Sequence, residues 1–173
     1  MRLEIETIRK SFRPKKIRIL LIGESPPSSG KFFYTGSPMT TYTARAFEMA
    51  HGKRFQDQGE FLAYFKESGC YLDDFSTTPL NRLSKIDREK FLFKKIDSLA
   101  DRIRHANPEV IVILLRRIED LARLAIEKSN SRSPVFVTPF PGQGYQNDFI
   151  NCLSAIIKNY VPSEKSESNK EGR

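Results

Sequence analysis

Two short runs of nearly continuous apolar residues stand out along the chain, Ile17-Arg18-Ile19-Leu20-Leu21-Ile22 and Val110-Ile111-Val112-Ile113-Leu114-Leu115. Runs of this length, rich in β-branched residues, predict strands buried on both faces. Weaker runs at Tyr71-Leu72-Asp73-Asp74-Phe75 and Val135-Phe136-Val137-Thr138 predict two more. Between them the apolar period becomes helical. Thr40 to Ala50 reads as a helix, and Asp57-Gln58-Gly59-Glu60 has capping-box spacing ahead of Phe61, Leu62 and Phe65. Asp87 to His105 places Phe91, Leu92, Ile96, Leu99, Ala100 and Ile103 on one face and stops at Asn107-Pro108. Arg116 to Lys128 is helical, and Tyr145, Phe149, Leu153, Ile156 and Tyr160 mark one face of a last helix.

Strands alternating with helices predict a three-layer α/β/α domain around a central four-stranded parallel sheet. The first and third strands, with the strongest apolar runs, belong side by side in its centre. One domain over residues 1–161 is expected, with a polar, disordered tail over 162–173. Ligands of such sheets bind beyond the carboxyl ends of the strands. Three loops fall there: Gly23 to Met39, Phe75 to Ser84, and Pro139 to Gly144.

Composition narrows the partners. The net charge is +8 and unevenly spread. Met1 to Arg18 carries seven Lys/Arg against two Glu, and Arg82 to Arg104 carries eight Lys/Arg against four Asp/Glu. Such an excess suits nucleic acid, because each neutralised phosphate releases counterions. The charged N-terminus is unlike a secretory signal, and no window resembles a membrane span. A cytoplasmic monomer is expected, without membrane attachment. The only cysteines, Cys70 and Cys152, sit in apolar segments and read as buried thiols. Two thiols cannot supply the four ligands of an iron–sulfur cluster within one chain. No metal or other cofactor is expected. His51 and His105 stand at helix ends, where capping is their expected role, and Ser28-Ser29-Gly30-Lys31 lacks the full phosphate-loop pattern.

The first loop is the richest in chemistry. Gly23 permits a tight exit from the strand, Glu24 places a carboxylate at its end, and Pro26-Pro27 stiffen the backbone beyond it. Phe32, Phe33 and Tyr34 come next, and three adjacent aromatics in a loop are not expected all to face the core. At least one is then a stacking surface for an extruded base. Strand, Gly-Glu-Ser-Pro, loop and Phe-Phe-Tyr together resemble the first motif of the uracil-DNA glycosylase-like superfamily. Its iron–sulfur branch has Gly-Glu-Ala-Pro-Gly there, and its classical branch Gly-Gln-Asp-Pro. The likeness covers the order of elements from Ile17 to about Tyr160, but its specific residues lie in this loop and, weakly, in Tyr71 to Asn81.

That resemblance implies a four-stranded parallel sheet between helices and hydrolysis of the N-glycosidic bond of an extruded uracil or other modified base in DNA, single- or double-stranded. Glu24 would be the catalytic carboxylate facing the sugar cation, with Ser25 where the classical branch has Asp. Phe33, or else Phe32, would stack on the base, so Phe33→Ala should weaken base capture by roughly 1–3 kcal/mol. Asp73 or Asp74 would read the base edge, where the family usually has Asn. A carboxylate accepts hydrogen bonds but donates only when protonated, so a base with an exocyclic amine would suit it better than uracil. The family's late His-Pro-Ser motif is replaced by Thr138-Pro139-Phe140-Pro141-Gly142-Gln143-Gly144-Tyr145-Gln146-Asn147, without a His. Gln143 is the candidate oxyanion donor, with Gln146 and Asn147 behind it. Tyr145 is the candidate wedge, and Lys31 and Arg82 are candidate DNA contacts. Two alternatives stand beside this reading: a nucleic-acid-binding module without cleavage, and an α/β enzyme acting on a small nucleoside or nucleotide.

Overall fold

The strand-forming runs pair as one sheet. In the computed structural model, which describes residues 2–163, β1 (Ile19–Gly23), β2 (Cys70–Asp74), β3 (Val110–Ile113) and β4 (Val135–Val137) are all parallel in the order β2-β1-β3-β4. Ile19 aligns with Cys70 on one side and Val110 on the other, so the two strongest apolar runs are adjacent in the centre. Every residue of β1 and β3 is buried, as strands covered on both faces require.

Among the described residues, seven α-helices surround the sheet: α1 (Arg2–Ser11), α2 (Pro38–His51), α3 (Gln58–Glu67), α4 (Lys85–Phe93), α5 (Ile96–Ala106), α6 (Glu119–Lys128) and α7 (Gln146–Tyr160). α2 packs against α7, and α5 against α6, making the outer layers of a three-layer α/β/α fold. No helix among the described residues is long and apolar enough to cross a membrane. Residues 164–173 of the expected tail lie outside the described part.

One helical expectation needs correction, and one helix is not among those expected. The stretch expected as one helix over Asp87 to His105 is two, broken at Lys94-Lys95, which cap the end of one and the start of the next. α4 buries only Leu92 and leaves Ile86 and Phe93 exposed, whereas α5 buries a full face. The charged N-terminus forms α1, whose Ile5 and Ile8, with Phe12 just beyond its end, lie on the face turned to the core.

α1 and the aromatic run close the open side of β2, an edge strand. Phe32, Phe33 and Tyr34 are only 2–4% exposed, so all three face the interior. Phe33–Thr35 is a turn of 3-10 helix, and three residues per turn send successive side chains in three directions. Phe33 meets Phe61 and Phe65 of α3, while Tyr34 stacks on Phe12. The Tyr34 hydroxyl accepts from the Leu72 N–H at 2.7 Å and donates to the Leu72 carbonyl at 3.0 Å. It thereby satisfies two backbone groups on the outer side of an edge strand. Tyr34→Phe should therefore cost about 1–3 kcal/mol by leaving both unpaired. Urea unfolding of the variant beside wild type measures it, and equal midpoints would mean that water replaces the hydroxyl.

Candidate functional site

From β1 the chain runs outward to β2, and from β3 it runs the other way to β4. Neighbouring strands whose connections diverge leave a crevice at their carboxyl ends. Here that crevice is a cleft of about 650 Å³, within the usual range of small-molecule sites. All three expected loops reach it: Gly23 to Met39 with most of the lining, Phe75 to Ser84 with Asn81, and Pro139 to Gly144 with Phe140, Pro141 and Gly142. The Ser28 N–H donates to Asn81 Oδ1 at 3.2 Å and ties the first two loops together. The lining is mainly apolar, with the charged groups Glu24, Asp74, Lys31, Arg88 and Arg117 set into it.

Glu24 is 8% exposed. Its backbone continues the sheet, since the Ser76 N–H donates to the Glu24 carbonyl at 2.9 Å. Its carboxylate is gripped by Arg117, with Nε donating to Oε1 at 2.9 Å and Nη2 to Oε2 at 2.7 Å. Arg88 Nη1 lies 3.6 Å from Oε2. Arg117 comes directly after β3, in a turn of 3-10 helix over Arg116–Ile118. The sequence pattern runs this strand straight into a helix, so the strand end gives no loop signal, and neither Arg117 nor Arg88 is among the sequence candidates. Phe140, half exposed at the rim, is not one either.

The two aspartates at the end of β2 part company because successive strand side chains point to opposite faces. Asp74 lines the cleft, whereas Asp73 turns to Arg102 of α5, whose Nε donates to Oδ2 at 2.7 Å. Asp74 is held by Arg9 of α1, with Nη2 donating to Oδ2 at 2.6 Å. Its Oδ1 lies against Gly23, where a Cβ would stand 2.4 Å away, so a larger residue there would displace the Asp74 carboxyl. Burial pushes the Asp74 carboxyl up to about 7, against the pull of the Arg9 guanidinium and with the push of the Asp73 charge. Near neutral pH it can hold a proton, and so donate a hydrogen bond as well as accept one.

The other candidates are more scattered. Ser25 and Lys31 line the cleft, Lys31 at its exposed rim. Phe32 and Phe33 form part of its wall, but as packed core rings rather than the free stacking platform expected. Gln143 is exposed, with φ 53°, and with Tyr145 lines a neighbouring groove beyond Arg117 rather than the cleft. Glu24 and Gln143 line different recesses, so the two expected catalytic groups are not brought together. Arg82 is exposed and outside both recesses.

The histidines are structural. His51 Nε2 lies 3.2 Å from the Val161 carbonyl and Nδ1 2.8 Å from the Tyr64 hydroxyl, which suits the tautomer protonated on Nε2. His105 Nδ1 lies 2.7 Å from the Asp101 carbonyl one turn back. Cys70 is buried, and burial pushes its thiol well up and makes it unreactive. Cys152, expected to be buried, is only partly so. Among the described residues, no group of three or more His, Cys, Asp or Glu side chains is placed to hold a metal ion. No protein-family model matches the chain, and no curated protein matches it in sequence.

Proposed function

We propose that this is a cytoplasmic DNA glycosylase-like protein, of the uracil-DNA glycosylase-like kind, which hydrolyses the N-glycosidic bond of an extruded uracil or other modified base. The observation that carries the reading is the cleft at the carboxyl ends of β1 and β3, apolar enough to take a base, with the Glu24 carboxylate inside it. Cleavage leaves positive charge on the sugar, and a carboxylate in a dry site stabilises it and can orient water. Asp74 on the adjoining wall suits the base edge better than Asp73, and its raised proton affinity lets it meet a lactam N–H/C=O pair as well as an amine. The basic excess suits the phosphate backbone.

The bidentate Arg117 grip favours a second reading, a nucleic-acid-binding module without cleavage, because a paired carboxylate stabilises a cation less. Single-turnover assays on DNA carrying one modified base, across a broad panel of bases, separate the two. Under the first reading wild type releases at least one base, and Glu24→Gln binds the same DNA but releases it at least about 100-fold more slowly. Tight binding with no release from any substrate selects the module. Release by Glu24→Gln at the wild-type rate would place the chemistry elsewhere in the cleft.

A further inference from the structure

We propose that Arg117 and Arg88 are the phosphate-binding pair of the cleft, and that a ligand phosphate exchanges with Glu24 for the Arg117 guanidinium. The inference rests on the nucleotide-binding reading of the cleft and adds which chemical group the cleft must meet besides the base.

Two guanidinium groups face one carboxylate, so the charge at this spot does not balance: two positive against one negative. Arg117 is the accessible member. Its side chain is 57% exposed, and among the described residues the group it is seen to grip is Glu24. The planar fork that holds a carboxylate by two N–H bonds fits two phosphate oxygens equally well. Arg88 is the under-used member. Its side chain is 21% exposed, it stands 3.6 Å from Glu24, and it reaches the Leu83 carbonyl at 3.4 Å. Its Nε is buried with no hydrogen-bond partner among the described residues. A buried donor without a partner is costly, and an arriving anion would relieve it. Lys31, exposed in the same lining, adds to the same field.

The exchange links binding to chemistry. With Arg117 on Glu24, the carboxylate is largely neutralised. A phosphate beside the scissile nucleoside draws Arg117 outward, and Glu24 then turns its charge toward the sugar. The cleft therefore prefers a nucleoside that carries a phosphate over the bare nucleoside. The phosphate can belong to a mononucleotide or to a phosphodiester chain.

The test is equilibrium binding of three probes to the full chain at fixed salt: deoxyuridine, deoxyuridine 5′-monophosphate, and a single-stranded oligodeoxynucleotide containing one deoxyuridine. Wild type should bind at least one phosphate-bearing probe about tenfold or more tighter than the nucleoside, as a charge-assisted bond implies. Arg117→Gln and Arg88→Gln should each remove most of that difference. For the oligonucleotide each should also lower the slope of log affinity against log salt by about one. Glu24→Gln should move the other way and tighten the phosphate-bearing probe, because the competitor for Arg117 is gone. A merely structural ion pair would not give that opposite sign. Tightening for the mononucleotide identifies a small-molecule ligand, and tightening for the oligonucleotide alone identifies a strand; both support the pair. Binding of neither phosphate-bearing probe above the nucleoside, arginine variants within about twofold of wild type, or weaker binding by Glu24→Gln would each overturn it. Base release unaffected by either arginine would leave the glycosylase reading standing without the exchange. Arginine-dependent phosphate binding without base release would do the reverse.

Discussion

Phe33→Ala should unfold the protein far more readily than wild type, with a loss of about 3–5 kcal/mol, the usual cost of emptying a buried phenylalanine site. Phe33 is 4% exposed and sits at the junction of the first loop and the helix layer. Its ring centroid is 5.0 Å from Tyr34 and 5.2 Å from Phe65, and Phe61 approaches edge-on at 6.4 Å. Phe47 and Tyr64 carry the same cluster onward into α2 and α3. Neighbours fixed by so many ring contacts cannot collapse into the gap, so the cavity term adds to the lost transfer energy. The expected readout is a large fall in the urea midpoint at unchanged slope. A change within about 0.5 kcal/mol would mean that the ring is a surface feature after all. Because the fold depends on it, Phe33→Ala cannot isolate base capture. Phe140, half exposed at the rim, is the ring whose removal can be read as a binding effect.

The central sheet is legible in the sequence because burial on both faces demands apolar residues at every position, and few other arrangements give such runs. Strand order comes from the same fact, since the most apolar strands take the centre. The site is legible at coarser grain. That the three loops meet is a consequence of a parallel sheet, whose strand ends all lie on one edge. Which side chains enter is not, because it depends on phase. Asp73 and Asp74 are chemically alike in the sequence, and only the strand's alternation puts one in the cleft and the other under α5. The aromatic run misleads because the chain passes from extended Phe32 into a 3-10 turn at Phe33 and Tyr34, and that change of direction, unlike a uniform extended loop, buries three consecutive side chains. α1 is hidden by its charges. Ile5, Ile8 and Phe12 keep helical spacing, but the fourth residue of that face is Arg9, which reads as solvent-facing until the aspartates of β2 are placed opposite it.

Arg9→Met should likewise destabilise the protein by about 3–5 kcal/mol, as expected when one partner of a buried ionic group is removed. Arg9 is 1% exposed and meets three carboxylates: Glu6 at 2.5 Å, Asp74 at 2.6 Å and Asp73 at 3.6 Å. Methionine keeps the apolar stem and removes only the charge and the fork, so the loss reports the uncompensated aspartates rather than a packing defect. The pH dependence identifies which aspartate matters. Asp74 titrates near 7 in the folded chain, above its unfolded value of 3.8. Between those values the native state keeps a proton that the unfolded chain has released, so this group makes stability fall as pH rises through the window. Below about 7 the carboxyl is already neutral and has less need of Arg9. The Arg9→Met deficit should therefore be largest above about pH 7 and shrink as pH is lowered toward about 5. Glu6 and Asp73 face the same guanidinium, and Arg102 also supports Asp73, so a part of the deficit should persist at every pH. In the double variant Arg9→Met/Asp74→Asn the pH-dependent part should vanish, because the titrating carboxyl is gone. Thermal unfolding of wild type, both single variants and the double variant between about pH 5 and pH 9 measures both parts. A deficit that stays constant from about pH 5 to pH 9 would mean that Asp74 is ionised throughout, the pull of Arg9 outweighing burial.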